Sequence, residues 1–142
     1  MMRDKGKLLM VIGVCLLLWC PACYGSSFGL DQDMYGENYP GPRLFYPVTD
    51  DIDLKGEAYL EFKWERPNFT DVRNYDFRLY KGYNTTESGL ILKKSVATDE
   101  YPIKIESSTF EANQTYTWVL VQVAFDGRKS DKSFSSFKIT GK

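Results

Sequence analysis

Cys20 and Cys23 stand in a C-x-x-C spacing, which elsewhere holds a metal ion or runs thiol–disulfide exchange. Here the pair lies at the end of an apolar leader, with no second pair to complete a site. The 142-residue chain contains no histidine. That removes imidazole acid–base chemistry, Ser-His and Cys-His nucleophile activation and most zinc or copper sites, because no other side chain titrates near neutrality without a large perturbation. The acidic run Asp50, Asp51, Asp53 and Glu57 has the D-x-D start of a calcium loop. It lacks the third oxygen ligand and carries Phe62 where a bidentate glutamate is required, so it reads as a solvated loop. Two carboxylates such as Asp50 and Asp53 suit glycoside cleavage only when they face each other across a cleft, which nothing in the sequence arranges. The chain reads as a non-enzyme with no cofactor and no metal.

The residues around the cysteines form an export leader, assigned to residues 1–25. Arg3, Lys5 and Lys7 precede an unbroken apolar run from Leu8 to Trp19, and the small-residue stretch Cys-Pro-Ala-Cys-Tyr-Gly follows. Twelve helical residues cover about 18 Å against a hydrocarbon core of about 30 Å, too short to span. The segment resembles a bacterial lipoprotein signal, which implies a lipid-carrying Cys23 at the new amino terminus. Cys20 departs from that pattern, standing where leucine is usual. Ordinary cleavage after Ala22 or Gly25 is the other outcome, and both stay open. Loss of Arg3, Lys5, Lys7 and Asp4 with the leader leaves 15 basic against 18 acidic residues, a net charge of −3. This balance argues against nucleic acid and leaves the membrane as a partner only through a lipid anchor. The chain is therefore expected to be secreted or held in the cell envelope.

Residues 26–42 are rich in Gly, Ser, Tyr and acid, lack any period, and read as a flexible spacer spanning about 25 Å. From residue 43 to 142 short alternating apolar stretches are separated by turn residues. Strands are predicted at Leu44–Pro47, Ala58–Trp64, Tyr75–Tyr80, Leu90–Leu92, Tyr101–Ile105, Thr115–Phe125 and Ser133–Ile139. Asp126-Gly127 marks a tight hairpin. The expected fold is all-β, a seven-stranded, two-sheet antiparallel sandwich. Asn68, Asn84 and Asn113 open Asn-x-Thr sequons, meaningful only in a eukaryotic source.

The stretch from Pro42 to Thr140 resembles a fibronectin type III, immunoglobulin-like domain of the divergent bacterial secreted type. Pro42, Leu44, Pro47, Gly56, Leu60, Phe62 and Trp64 match a proline-led first strand and a tryptophan-bearing second one. The carboxy-terminal FEANQTYTWVLVQVAFDGRKSDKSFSSFKI matches the family's turn, long central strand, glycine hairpin and closing strand. Phe110 stands where leucine is usual, and Asn113 where glycine is. The resemblance implies a tyrosine corner at Tyr116, its hydroxyl donating to a backbone group near the strand's start. Gln122 departs from the small apolar residue expected there, implying a bulge or a buried amide.

Trp64 and Trp118 share the alternation phase of Leu60, Phe62, Tyr116 and Leu120, so they are assigned to the core rather than to sugar stacking. The opposite phase of the long strand is also apolar: Val119, Val121 and Val123, with Tyr80 on the neighbouring strand of the same face. These four residues are the candidate binding surface on a face expected to meet solvent. A strand twist, or cover from Phe28, Tyr35 and Tyr39 of the spacer, is the structural alternative. The function expected is a non-catalytic binding or adhesion module that contacts a protein or a glycan at the cell surface. A carbohydrate-binding accessory module, or a structural subunit of a surface or secretion assembly, is the other reading.

Overall fold

A computed structural model describes residues 39–66 and 71–142. The leader, Cys23 and most of the spacer lie outside the described residues. Eight strands are present among them: β1 (Leu44–Tyr46), β2 (Asp51–Asp53), β3 (Tyr59–Trp64), β4 (Val72–Lys81), β5 (Leu90–Ala97), β6 (Ile103–Glu106), β7 (Thr115–Ala124) and β8 (Ser133–Gly141). Two sheets form, of order β1-β3-β6 and β2-β8-β7-β4-β5. Seven of the strands fall where alternation places them. β4 and β5 run longer than expected, because their polar ends still join the ladder of β7 and of each other.

β2 is the departure from the expected strand set. The acidic run assigned to a loop instead forms a parallel pair with β8, Ile52 facing Ile139, so one edge of an otherwise antiparallel sandwich is parallel. The first strand is in effect split between the two sheets. Pro47 has no N–H to continue the β1–β3 ladder. Thr49, at φ 51°, then turns the chain toward the second sheet, where its N–H donates to the Ser136 carbonyl at 3.0 Å. Trp118 secures the crossing by donating its Nε1 proton to the Pro47 carbonyl at 2.8 Å.

The core between the sheets is aromatic. Phe62 on β3 meets Phe77, Trp118 and Phe137 edge-on with centroids 5.2, 5.2 and 5.8 Å away. Trp64 packs edge-on against Tyr75 and Tyr101. Both tryptophans are buried, as their alternation phase requires. Such T-shaped contacts place positive ring edges on negative faces and add to the burial energy.

Part of the segment read as spacer is built into the domain. The Asp131 N–H donates to the Tyr39 carbonyl at 2.9 Å, and the Gln122 side-chain amide donates to the Pro40 carbonyl at 3.2 Å. Gln122 is the buried amide anticipated from its departure. Its backbone N–H is taken by the Ser130 hydroxyl at 2.9 Å, since the β7–β8 ladder has already ended at the Leu120–Ser133 pair. Gly41 sits so close to this edge that a Cβ there would lie 2.6 Å from the Asp131 carbonyl oxygen. Gly41→Ala is expected to cost about 1–3 kcal/mol, because the Asp131 backbone must give way as well as the Ser133 hydroxyl. Thermal melting checks this, and an unchanged midpoint would show that residues 39–42 do not seat against the sheet.

Candidate functional site

The side of the five-stranded sheet that faces away from the core is built from alternate residues of four strands. Along β7 these are Thr117, Val119, Val121 and Val123, whose partners on β4 are Tyr80, Arg78, Asp76 and Asn74 in the same order. On β8, Phe134 faces Val119 and Ser136 faces Thr117. On β5, Lys93 and Ser95 face Arg78 and Asp76. In an antiparallel ladder directly opposed residues share a face, so the register alone brings the four candidate residues together.

Their environment differs from the one expected. Val119, Val121 and Val123 are only 6%, 6% and 7% exposed, and Tyr80 is buried as well. They belong to no part of the aromatic cluster between the sheets. The polar row of β4 runs beside them: Arg78 pairs with Asp76 at 2.8 Å, and the Asn74 amide donates to the Ser95 hydroxyl at 2.9 Å. The hydrogen bond to the Asp76 carboxylate keeps the Arg78 guanidinium pKa above its ordinary value, so the guanidinium stays charged at any physiological pH. Arginine stems cover apolar surface while their heads stay wet. The apolar group that does meet solvent here is Phe134, 69% exposed and in register with Val119. Alternation through Ser133–Ile139 carries the signal for it, since Phe137 and Ile139 face inward and Phe134 must then face out.

The acidic run is spread rather than gathered. Asp50 Oδ2 accepts the Val48 N–H and Asp53 Oδ1 accepts the Lys55 N–H, both at 2.9 Å, as capping carboxylates do in turns. Among the described residues no three His, Cys, Asp or Glu side chains are placed to hold a metal ion. No helix among them is long and apolar enough to cross a membrane.

The turn before β7 decides the fold type. Tyr116 is buried edge-on against Phe110, with ring centroids 5.1 Å apart, and its hydroxyl accepts the Glu111 backbone N–H at 2.7 Å across the corner. The direction corrects the expectation: the backbone is the donor and the phenol the acceptor. Asn113 adopts φ 60°, the left-handed conformation glycine usually supplies. With the three-plus-five strand order, this corner is the mark of one sandwich type. The fold is fibronectin type III-like. Tyr116→Phe is expected to cost about 1–3 kcal/mol, leaving the Glu111 N–H without its partner while the ring stays in place. Urea denaturation measures it, and a wild-type midpoint would mean the corner bond contributes nothing.

No family model matches the chain, and no curated protein matches it. Among solved structures it is similar to the solution structure of the fn3 domain of human contactin 1, at 15% identity over 72% of this chain and 80% of that one, with a TM-score of 0.46. It is similar to the fibronectin(III)-like modules of CbhA from Clostridium thermocellum, at 12% identity over 70% and 97% of the two chains, with a TM-score of 0.49. The β-1,2-glucanase from Parabacteroides distasonis matches at 13% identity over 72% of this chain but 13% of its own, with a TM-score of 0.44. Within this fibronectin type III-like sandwich the face carrying Phe134 is the candidate functional site.

Proposed function

We propose that the protein is a non-catalytic, extracytoplasmic binding module that contacts a partner protein through the outer face of its five-stranded sheet. The observation that supports this is Phe134, a large aromatic left 69% exposed near the start of β8, in register with Val119 of the row Val119, Val121 and Val123. Exposed aromatics in a surround of semi-buried apolar groups are the anchors that carry binding energy at protein interfaces. The three-stranded sheet also exposes Phe45 and Tyr59, but sets Tyr59 among the paired charges Glu61, Lys63 and Lys104, with the Lys104 ammonium 4.5 Å from its ring. Tyr80, Val119, Val121 and Val123 act as the floor that fixes Phe134, not as the contacting groups themselves. The leader-like sequence of residues 1–25 supports an extracytoplasmic location for this face, with Cys23 as the residue that a lipid would modify.

The test is site-specific photocrosslinking in the native envelope, with the crosslinker at 134 and, as control, at 104. Capture of one protein from 134 alone, lost on Phe134→Asp in a competing soluble copy, is the expected result. Equal capture from both positions, or none, counts against the reading. Intact mass of the exported protein reads the leader separately: a start at Cys23 with added diacylglycerol shows lipidation, a start at Ser26 shows simple secretion, and retention of Met1 would overturn export.

A further inference from the structure

A shallow groove of about 220 Å³ opens at one end of the same sheet, where β2 and the starts of β7 and the close of β8 meet. Thr115 and Lys138 line it and are register partners, and Asp51, Tyr83, Ser136 and Phe137 stand among its other walls. Tyr83 is 75% exposed, the largest exposure of any described aromatic, so the core makes no use of its ring. Its backbone is nevertheless held. Gly82, the residue before it, takes φ 88° and donates its N–H to the Thr115 carbonyl at 2.7 Å, while the Thr117 hydroxyl donates to the Gly82 carbonyl at 2.7 Å.

These bonds set the polarity of the groove. Because the Thr117 proton is spent on Gly82, the Ser136 hydroxyl 2.7 Å away must donate to Thr117, which leaves the Ser136 lone pairs free to accept. Asp50 Oδ2 already accepts the Val48 N–H. Asp51 projects from β2 on the side opposite buried Ile52 and stays exposed, offering two acceptor oxygens. Lys138 is exposed and offers donors. A flat ring on a tethered backbone gives contact area at low entropic cost.

We propose that this groove binds a neutral pyranose, with one face of the sugar on the Tyr83 ring, a vicinal hydroxyl pair on Asp51 and further hydroxyls on Ser136 and Lys138. The lining selects that chemistry by elimination. Carboxylates and an ammonium together disfavour a simple anion or a simple cation, and a wholly apolar ligand would leave Asp51, Ser136 and Lys138 without partners beside the Tyr83 ring. A ligand with one apolar face and a rim of groups that both donate and accept satisfies every wall, and the volume admits a single ring. The inference is independent of the protein-contact reading, since it needs neither Phe134 nor a partner chain.

The experiment is a two-dimensional amide NMR titration of the exported domain with the methyl glycosides of glucose, galactose and mannose. Binding is expected at a Kd on the order of millimolar for at least one of them, as a groove contacting a dozen ligand atoms allows. The shifts should centre on Tyr83, Thr115, Ser136 and Lys138. Tyr83→Ala, at an exposed position that leaves the fold intact, should weaken binding at least tenfold, and Asp51→Asn at least threefold. Tyr83→Trp should retain it. Phe134→Asp should leave the titration unchanged, so that failure here and failure of the protein-contact reading are separable. No shift with any of the three glycosides, shifts centred elsewhere, or a Tyr83→Ala titration equal to wild type would each overturn the proposal.

Discussion

Phe62→Ala is expected to lower the free energy of unfolding by about 3–5 kcal/mol. Phe62 is fully buried on β3, and its ring contacts Phe77, Trp118 and Phe137 all belong to the other sheet. Removing the ring strips both sheets of contact at once and leaves a cavity that rigid strands cannot collapse into. A domain of this size has only about 5–15 kcal/mol to lose, so the variant sits near the edge of folding. Urea denaturation with an unchanged slope and a lower midpoint is the expected signature. Phe62→Leu should recover more than half of the loss. A cost below about 1 kcal/mol would mean that the two sheets do not close over this residue.

Charge at Val121 is expected to be costly and to depend on its sign. Burial of a valine side chain contributes roughly 1.5–3 kcal/mol, which either charged substitution forfeits in large part. Val121 is the register partner of Asp76, whose carboxylate already holds Arg78. Like charges directly opposed across strands destabilise, whereas opposite charges pair. Val121→Asp should therefore cost about 3–4 kcal/mol and Val121→Lys at least about 1 kcal/mol less. The gap should narrow in 1 M salt, because screening weakens both the repulsion and the attraction. Equal costs for the two variants would show that Asp76 does not face this position. A solvent-facing valine would give only a small effect, but Val121 is only 6% exposed.

Much of this fold is legible in alternation, because a strand side chain has only two directions and the core chooses one. Leu60, Phe62 and Trp64 are all buried on β3, as are Tyr75, Phe77 and Leu79 on β4. Local backbone chemistry was legible too: Asn113 takes the left-handed turn, and Gly127, at φ 88°, takes the hairpin position that Asp126-Gly127 announces. Such features depend on a few adjacent residues, which the sequence displays together.

What escaped depended on partners far along the chain. Asp51–Asp53 has too few residues and too many acids to look like a strand, and becomes one only because β8, almost ninety residues on, supplies a ladder for it. The tie between Gln122 and Pro40 joins residues 82 apart, so nothing near Pro40 marks it as part of the domain. The candidate site shows the same division. Alternation by itself placed Val119, Val121 and Val123 on the side away from the core, with Tyr80 beside them. How little of them meets solvent was not legible, since periodicity fixes the direction of a side chain and only the tertiary structure fixes how much of it stays exposed.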